Sequence, residues 1–406
     1  MFTDYSEFGP DLLGKNGKLR ASFRIQGINV TMANTLRRAI LALTPSVGFR
    51  TEPYEKSDVE VKVNTTPLVN DMLVHRVGMI PIYADPVTFD PSRFEFVLDK
   101  ENATKELMNV HASDFKVFMR NLENPLEAPV EVPSAQFFPP DPITGDTCLI
   151  TRLRPQWNPA APNERIHMKA KASISTGAEN IRWCPVSQCS YEYTRDANPE
   201  HVKMVFEAWL ASNKKIVDLT TLSEERRMEL DREFRTMEIQ RSYMTDEKGE
   251  PNDFTFFLES IGVQRIPDIV KSGIAACEAL VDKYKDLDAV IPPTVRVQQG
   301  DSRFPTMDII FQHESHTLGN LMETYLVENH IDGTQEPKIT YAGYKVPHPL
   351  KPEMFVRIGA SGLDADIQKQ SARLVLAMGC RTLKDQFRQL QGAWNAVSAT
   401  ATSTAV

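Results

Sequence analysis

Apolar and polar positions alternate in "KLRASFRIQG" (residues 18–27), where Leu19, Ala21, Phe23 and Ile25 are separated by polar neighbours. A period of two predicts a half-buried strand, because successive side chains point to opposite faces. The period then lengthens. From Thr31 onward Met32, Ala33, Leu36, Ala39, Ile40 and Leu43 share one helical face, Thr31 is the expected N-cap, and Pro45 stops the run. "SDVEVKVNTT" (57–66) returns to strand alternation.

Prolines crowd the stretch from Asp85 to about Glu200, as in "NPLEAPVEVPSAQFFPPDP" (124–142), between short strand-like runs "EFVL" (95–98) and "FKVF" (115–118). This predicts a mainly-β domain with long loops. Residues 199–247 are highly charged, with helical periodicity over 223–243, and read as a solvated, partner-facing surface. "DFTFFLES" (253–260) predicts a strand and 267–284 a helix whose Ile269, Val270, Gly273, Ile274, Cys277, Leu280, Val281 and Tyr284 share a face. A Pro-Pro step followed by polar residues marks 285–303 as a linker. Beyond it come strand 306–312, a helix from Thr317, strands near 339–346 and 354–360, and a long helix over 364–394. The low-complexity tail 396–406 is expected to be disordered.

Two stretches repeat. Placing Thr31 on Thr317 puts Phe23 on Ile309, Ile25 on Phe311, Gln26 on Gln312, Met32 on Leu318, Ala33 on Gly319 and Asn34 on Asn320. Further on, "GFR" (48–50) matches "GYK" (343–345) once loop 329–338 absorbs the extra residues. Thr-x-x-Asn helix starts are common. Ordered agreement at strand, cap, Gly-aromatic-basic step and closing helix points instead to one unit written twice, of the kind that pairs about a twofold axis.

Charge narrows the function. At −8 the chain lacks the basic surplus by which free-standing nucleic-acid binders neutralise phosphates, so direct DNA or RNA binding is disfavoured. Five scattered cysteines read as reduced thiols, and "MFTDYSEFGPDLLGK" has neither the basic start nor the apolar run of a secretory leader. An intracellular protein without a membrane span is expected. Phosphate loops of Gly-x-Gly-x-x-Gly or Walker type do not occur, and no Ser, Cys or Asp is spaced with His75 for a triad.

"NVTMANTLRRAILALTPSVGF" (29–49), "NTTPLVNDMLVHRVGMIPI" (64–82), "RWCPVSQCSYEYTRD" (182–196) and "FTFFLESIG…VKSGIAACEAL" (254–280) resemble the third-largest subunit of RNA polymerase II and the archaeal D subunit. "HTLGNL" (316–321) and "YAGYKVPHPL" (341–350) resemble the smaller partner, the eleventh polymerase II subunit and archaeal L subunit. The chain thus looks like a fusion of two α-like assembly subunits of multisubunit DNA-dependent RNA polymerases, an arrangement similar to that of large DNA viruses carrying their own polymerase. The resemblance implies an α+β fold: two α-subunit-like dimerisation units, each a small sheet plus helices, paired about a pseudo-twofold in one chain, with an inserted mainly-β domain. The implied boundaries are 1–55 and 250–290 for the larger-partner unit, 56–249 for the insert and 304–395 for the smaller-partner unit. It further implies a non-catalytic scaffold that docks the largest and second-largest subunits and touches small zinc-bearing ones. Nucleic acid would be met only indirectly, through the complex. A viral source would place the protein in virions and host cytoplasm; the nucleus is the other expectation.

Within that frame the expected dimerisation residues are Thr31, Asn34, Leu36, Ile40, Ile274, Thr317, Leu318, Asn320, Leu321 and Tyr344. The expected docking residues are Arg37, Arg38, His75, Arg76, Lys345 and His348. Adjacent helix arginines point about 100° apart, so one of Arg37 and Arg38 carries the main contact, and Arg38 is the expectation. Many relatives of the larger partner carry a four-cysteine zinc cluster where this chain reads "YADPVTFDPSRFEFVLDK" (83–100), without a cysteine, so no metal or other cofactor is expected. Cys184 and Cys189 lack a second pair, and His313 and His316 read as structural. The rival readings are an acidic DNA-associated transcription regulator and an enzyme sited in the inserted domain.

Overall fold

Two four-stranded antiparallel sheets with the same strand order carry the architecture. The computed structural model describes residues 1–12, 17–124, 126–157, 160–217, 222–300, 305–360 and 364–403. The first sheet and its helices comprise β1 (Phe2–Asp11), β2 (Lys18–Gln26), α1 (Val30–Ala42), β3 (Val186–Tyr193), β4 (Asp253–Ser260) and α2 (Ile266–Asp282). The second set is β5 (Val295–Gln299), β6 (Met307–Gln312), α3 (His316–Leu326), β7 (Ile339–Lys345), β8 (Glu353–Ala360) and α4 (Ala365–Ser403). The orders are β1-β2-β4-β3 and β5-β6-β8-β7. Phe23 lies opposite Phe256 in one sheet and Ile309 opposite Val356 in the other.

The alternation that predicts β2 buries Ala21, Phe23 and Ile25, and the helical period of α1 buries Met32, Ala33, Leu36, Ala39 and Ile40. These join Ile274 of α2, Phe311 of β6, Leu318 and Leu321 of α3, Val356 of β8 and Trp394 of α4 in one apolar core. Trp394 is fully buried; its ring meets Phe2, Tyr5 and Phe23, and its indole N–H donates to the Pro267 carbonyl at 3.0 Å. Each sheet also holds a two-pronged Arg–Asp pair on the face opposite this core. Arg24 of β2 reaches Asp253 of β4, and Arg357 of β8 reaches Asp308 of β6, all at 2.6–2.7 Å. The charges are exchanged between corresponding strands.

A second core lies along the chain between α1 and β3. Strands Val59–Asn64, Glu164–Ala170, Phe94–Asn102, Lys116–Met119 and Val130–Val132 form one sheet, with helix Asn70–Gly78 beside it. Phe49, Phe96, Phe115, Phe137 and Phe138 pack edge to face or tilted within it, the arrangement ring quadrupoles favour.

Several expected boundaries shift. Val47 and Phe49 belong to the second core, and Pro45–Gly48 pairs with Ser173–Thr176, so the first unit is left near residue 44 rather than 55. The edge strand Val186–Tyr193, expected inside the insert, pairs with β4 and completes the first sheet. For the same reason "GFR" and "GYK" are not equivalent: Gly343 lies in β7, whose topological counterpart is β3. The expected linker contains β5, paired with β6, so the second unit begins at Val295 rather than 304. The tail continues α4 to Ser403, in keeping with the high helix propensity of its alanines; residues 404–406 lie outside the described ones. The charged stretch 199–247 is more than a solvated face. Helices Pro199–Trp209 and Glu224–Glu233 close on their own small core of Trp209, Leu210, Leu230 and Phe234.

Candidate assembly interface

Helices α1 and α3 cross between the two sheets, held by side chains at both ends. Asn29 Nδ2 donates to Glu328 at 3.2 Å, Thr31 and Thr324 hydroxyls are 3.0 Å apart, and Arg38 Nε donates to Thr317 Oγ1 at 2.8 Å. The start of α1 meets the end of α3 and the reverse, so the helices run antiparallel. Leu36, Ile40, Leu318 and Leu321 are buried, Ile40 against Gly273 of α2.

This geometry corrects the expected caps. Asn29, not Thr31, caps α1, its Oδ1 accepting from Met32 N at 2.9 Å. Ser315 precedes α3 without a side-chain bond, and Thr317 sits inside the first turn. Both threonines are freed to bridge the units. Asn34 does not cross; its Oδ1 accepts from Arg37 Nε at 3.0 Å on the same helix. Asn320 is half-buried. Tyr344 of β7 braces its own unit, with its ring over Gly319 and its hydroxyl 3.2 Å from His316 Nδ1.

A second antiparallel pair, α2 with α4, carries Ile274 in its buried face. Arg388 meets Glu278 at 2.7 Å, and Asp282 takes Lys384 and Lys285. These two ammonium groups hold the Asp282 carboxyl down at about 2. Arg373 donates to the Leu287 and Asp288 carbonyls at 2.9 Å, which ties the expected linker to α4. Burial pushes the Cys380 thiol up to about 12 and raises Cys277 further. Both are inert apolar filler.

Of the expected docking residues, Arg38 is engaged by Thr317, and Arg37, equally half-buried, donates to Asn34 on its own helix. Arg76 is likewise committed, donating to the Ile150 and Leu149 carbonyls at 2.7 and 2.8 Å. His75 is exposed on helix Asn70–Gly78, and Lys345 and His348 are exposed at and beyond the end of β7. His348 Nδ1 accepts from Leu350 N at 3.1 Å, closing its own turn. Thr324, Glu328, Asp282 and Lys384 were absent from the expectations: a hydroxyl or single charge on a helix carries no sequence sign of a distant partner.

Among the described residues, no group of three or more His, Cys, Asp or Glu side chains could hold a metal ion. Cys184 donates its Sγ–H to the Val186 carbonyl, and burial pushes the Cys189 thiol up to about 12, against the thiolate a metal requires. No described helix is long and apolar enough to cross a membrane.

Two sheets of one strand order, joined in one core with two antiparallel helix pairs, make this an α+β fold. The chain belongs to the family of RNA polymerase Rpb3/Rpb11 dimerisation domains. One model of that description matches residues 22–283 and a second matches 306–393. The chain is 26% identical over 187 residues to the DNA-directed RNA polymerase subunit Rpo3 of Methanosphaera stadtmanae, covering 43% of this chain and 57% of that one. It is 25% identical over 209 residues to the DNA-directed RNA polymerase II subunit RPB3 of Schizosaccharomyces pombe (47% and 61% covered). With Rpo3 of Pyrococcus horikoshii the identity is 23% over 277 residues (65% and 91% covered). The chain thus spans little more than half the length of the first curated relatives it matches.

Proposed function

We propose that this chain is a non-catalytic assembly subunit of a DNA-dependent RNA polymerase, with both members of an Rpb3/Rpb11-type pair joined in one polypeptide. The observation that carries the reading is the coincidence of two family matches, 22–283 and 306–393, with two sheets of identical order in one core. The units are related by a pseudo-twofold passing between α1 and α3, and the strands between α1 and β3 form an inserted domain. Fusion makes the pairing intramolecular and fixes its stoichiometry.

On this reading the outer faces dock the largest and second-largest subunits, with Arg37 in the role first expected of Arg38. Lys345, His348 and His75 offer further polar contacts on other elements. The test is purification of the tagged chain from its native source, with co-purifying polypeptides identified by mass spectrometry. Two very large chains in one-to-one ratio with this one are expected. Recovery of the chain without them would overturn the proposal.

A further inference from the structure

Corresponding strands of the two sheets are connected very differently. β7 and β8 are joined by the short turn 346–352, whereas β3 and β4 are joined by residues 194–252. The longer connection contributes nothing to the sheet. Its stem is zipped by the Arg195–Tyr243 bridge, by Asp196 N to Ser242 O at 2.9 Å and by Met244 N to Thr194 O at 2.9 Å. Above the stem, helices Pro199–Trp209 and Glu224–Glu233 pack on their own aromatic core. A module unnecessary to the sheet and stabilised separately has its surface free for another task.

That surface carries a groove of about 810 Å³ between the helices. Its apolar side is Phe206, half-buried with its ring against Phe234 at 5.1 Å, and Met228, which is 69% exposed. Three arginines line it. Arg235 is neutralised by Asp231 at 2.7 Å, and the remaining acid, Glu229, is taken by Arg226. Arg227 and Arg232 stand exposed, without an ion pair among the described residues. The groove therefore combines a pliable apolar strip with two exposed arginines that hold no ion pair among the described residues.

From this we infer that the hairpin 199–241 is a docking module for an acidic amphipathic segment of a partner protein. Apolar anchors of that segment, at helical spacing, fill the strip between Phe206 and Met228, and its carboxylates meet Arg227 and Arg232. The inference is independent of the polymerase reading.

The test uses the full chain and a fluorescein-labelled synthetic helix of about fifteen residues with a Leu/Phe stripe and Asp/Glu elsewhere. Two control peptides carry Lys in place of the acids or Ser in place of the apolar stripe. Fluorescence anisotropy should show salt-sensitive binding of the acidic peptide, at least about tenfold tighter than either control. Arg227→Glu with Arg232→Glu, and separately Met228→Asp, should each weaken it by about tenfold or more. These side chains are exposed, so unchanged circular dichroism and melting temperature are expected of the variants. Equal binding of all three peptides, no effect of the substitutions in folded protein, or preference for the Lys peptide or for single-stranded poly(U) would each overturn the inference.

Discussion

Arg38 of α1 donates its Nε–H to the hydroxyl of Thr317 at 2.8 Å, joining the end of one short helix to the start of its counterpart. A charge-assisted bond contributes more than a neutral one, but Arg38 is only half-buried, which puts its contribution at the low end. A double-mutant cycle of Arg38→Met and Thr317→Val, followed by urea unfolding, should return a coupling of about 1 kcal/mol. Additive losses would show that the contact adds nothing. Arg37→Ala should shift stability by less than about 0.5 kcal/mol yet reduce recovery of large partners from the native source.

Trp394 tests whether the shared core depends on α4. Its indole fills space among Phe2, Tyr5 and Phe23 and loses its donor site if removed. Trp394→Ala should cost about 3–5 kcal/mol in denaturant unfolding. Trp157, 85% exposed, serves as the control, and its replacement by Ala should stay within about 0.5 kcal/mol.

Two helical glycines should respond with opposite signs. A Cβ on Gly319 would stand 2.3 Å from Cδ2 of Tyr344, whereas Gly392 has nothing within 4 Å. Gly392→Ala should stabilise by about 0.5–1 kcal/mol through helix propensity alone. At Gly319 the clash, about 1–3 kcal/mol, exceeds that gain, so Gly319→Ala should lower the melting temperature. A rise there would mean that the Tyr344 ring yields freely.

Acid should weaken the contact between Arg50 and Glu179. Arg50, and then the Ser175 hydroxyl, hold the Glu179 carboxyl at about 2, below its ordinary 4.5. A depressed folded-state value gives stability that is fully present above pH 4.5 and is lost as pH falls towards 2. Glu179→Gln should lower stability at pH 7 and flatten the pH dependence between about 4.5 and 2. An unchanged acid limb in equilibrium unfolding would remove the pair from the account.

The ion pair in the second sheet is asymmetric. Asp308 is 6% exposed at its side chain and Arg357 is 23% exposed. Arg357→Met leaves a buried carboxylate without its main partner and should cost about 3 kcal/mol. Asp308→Asn keeps an acceptor and leaves a guanidinium that reaches water, so its cost should be clearly smaller. Equal losses in urea unfolding would contradict this ordering.

Most elements of the paired sheets were legible because one face of each is buried, which writes a period of two or 3.6 into the chain. β2, α1, β4 and α2 appear within a residue or two of where the alternation places them. Pairing was less legible. Val186–Tyr193 reads as part of a β-rich stretch, and only its ladder with β4 assigns it to the first sheet. The 100° rule separated Arg37 from Arg38 but could not say that Arg38 meets Thr317, which lies far along the chain. Charge hid the hairpin core: Phe206, Trp209 and Phe234 are few among many acids and bases, and two helices must close before they meet.

The exchanged polarity of the two Arg–Asp pairs bears on how a chain with two like sheets avoids folding into the wrong one. Similar units in tandem invite strand exchange while both are still forming. If β6 replaced β2, Asp253 would lose Arg24 and meet no cation in its place. If β2 replaced β6, Arg357 would lose Asp308 and find Arg24 on the same face of the neighbouring strand. Each hybrid leaves a charge unanswered, whereas each correct sheet answers both. Exchanged polarity thus makes the correct pairing of strands also the one that is electrostatically neutral.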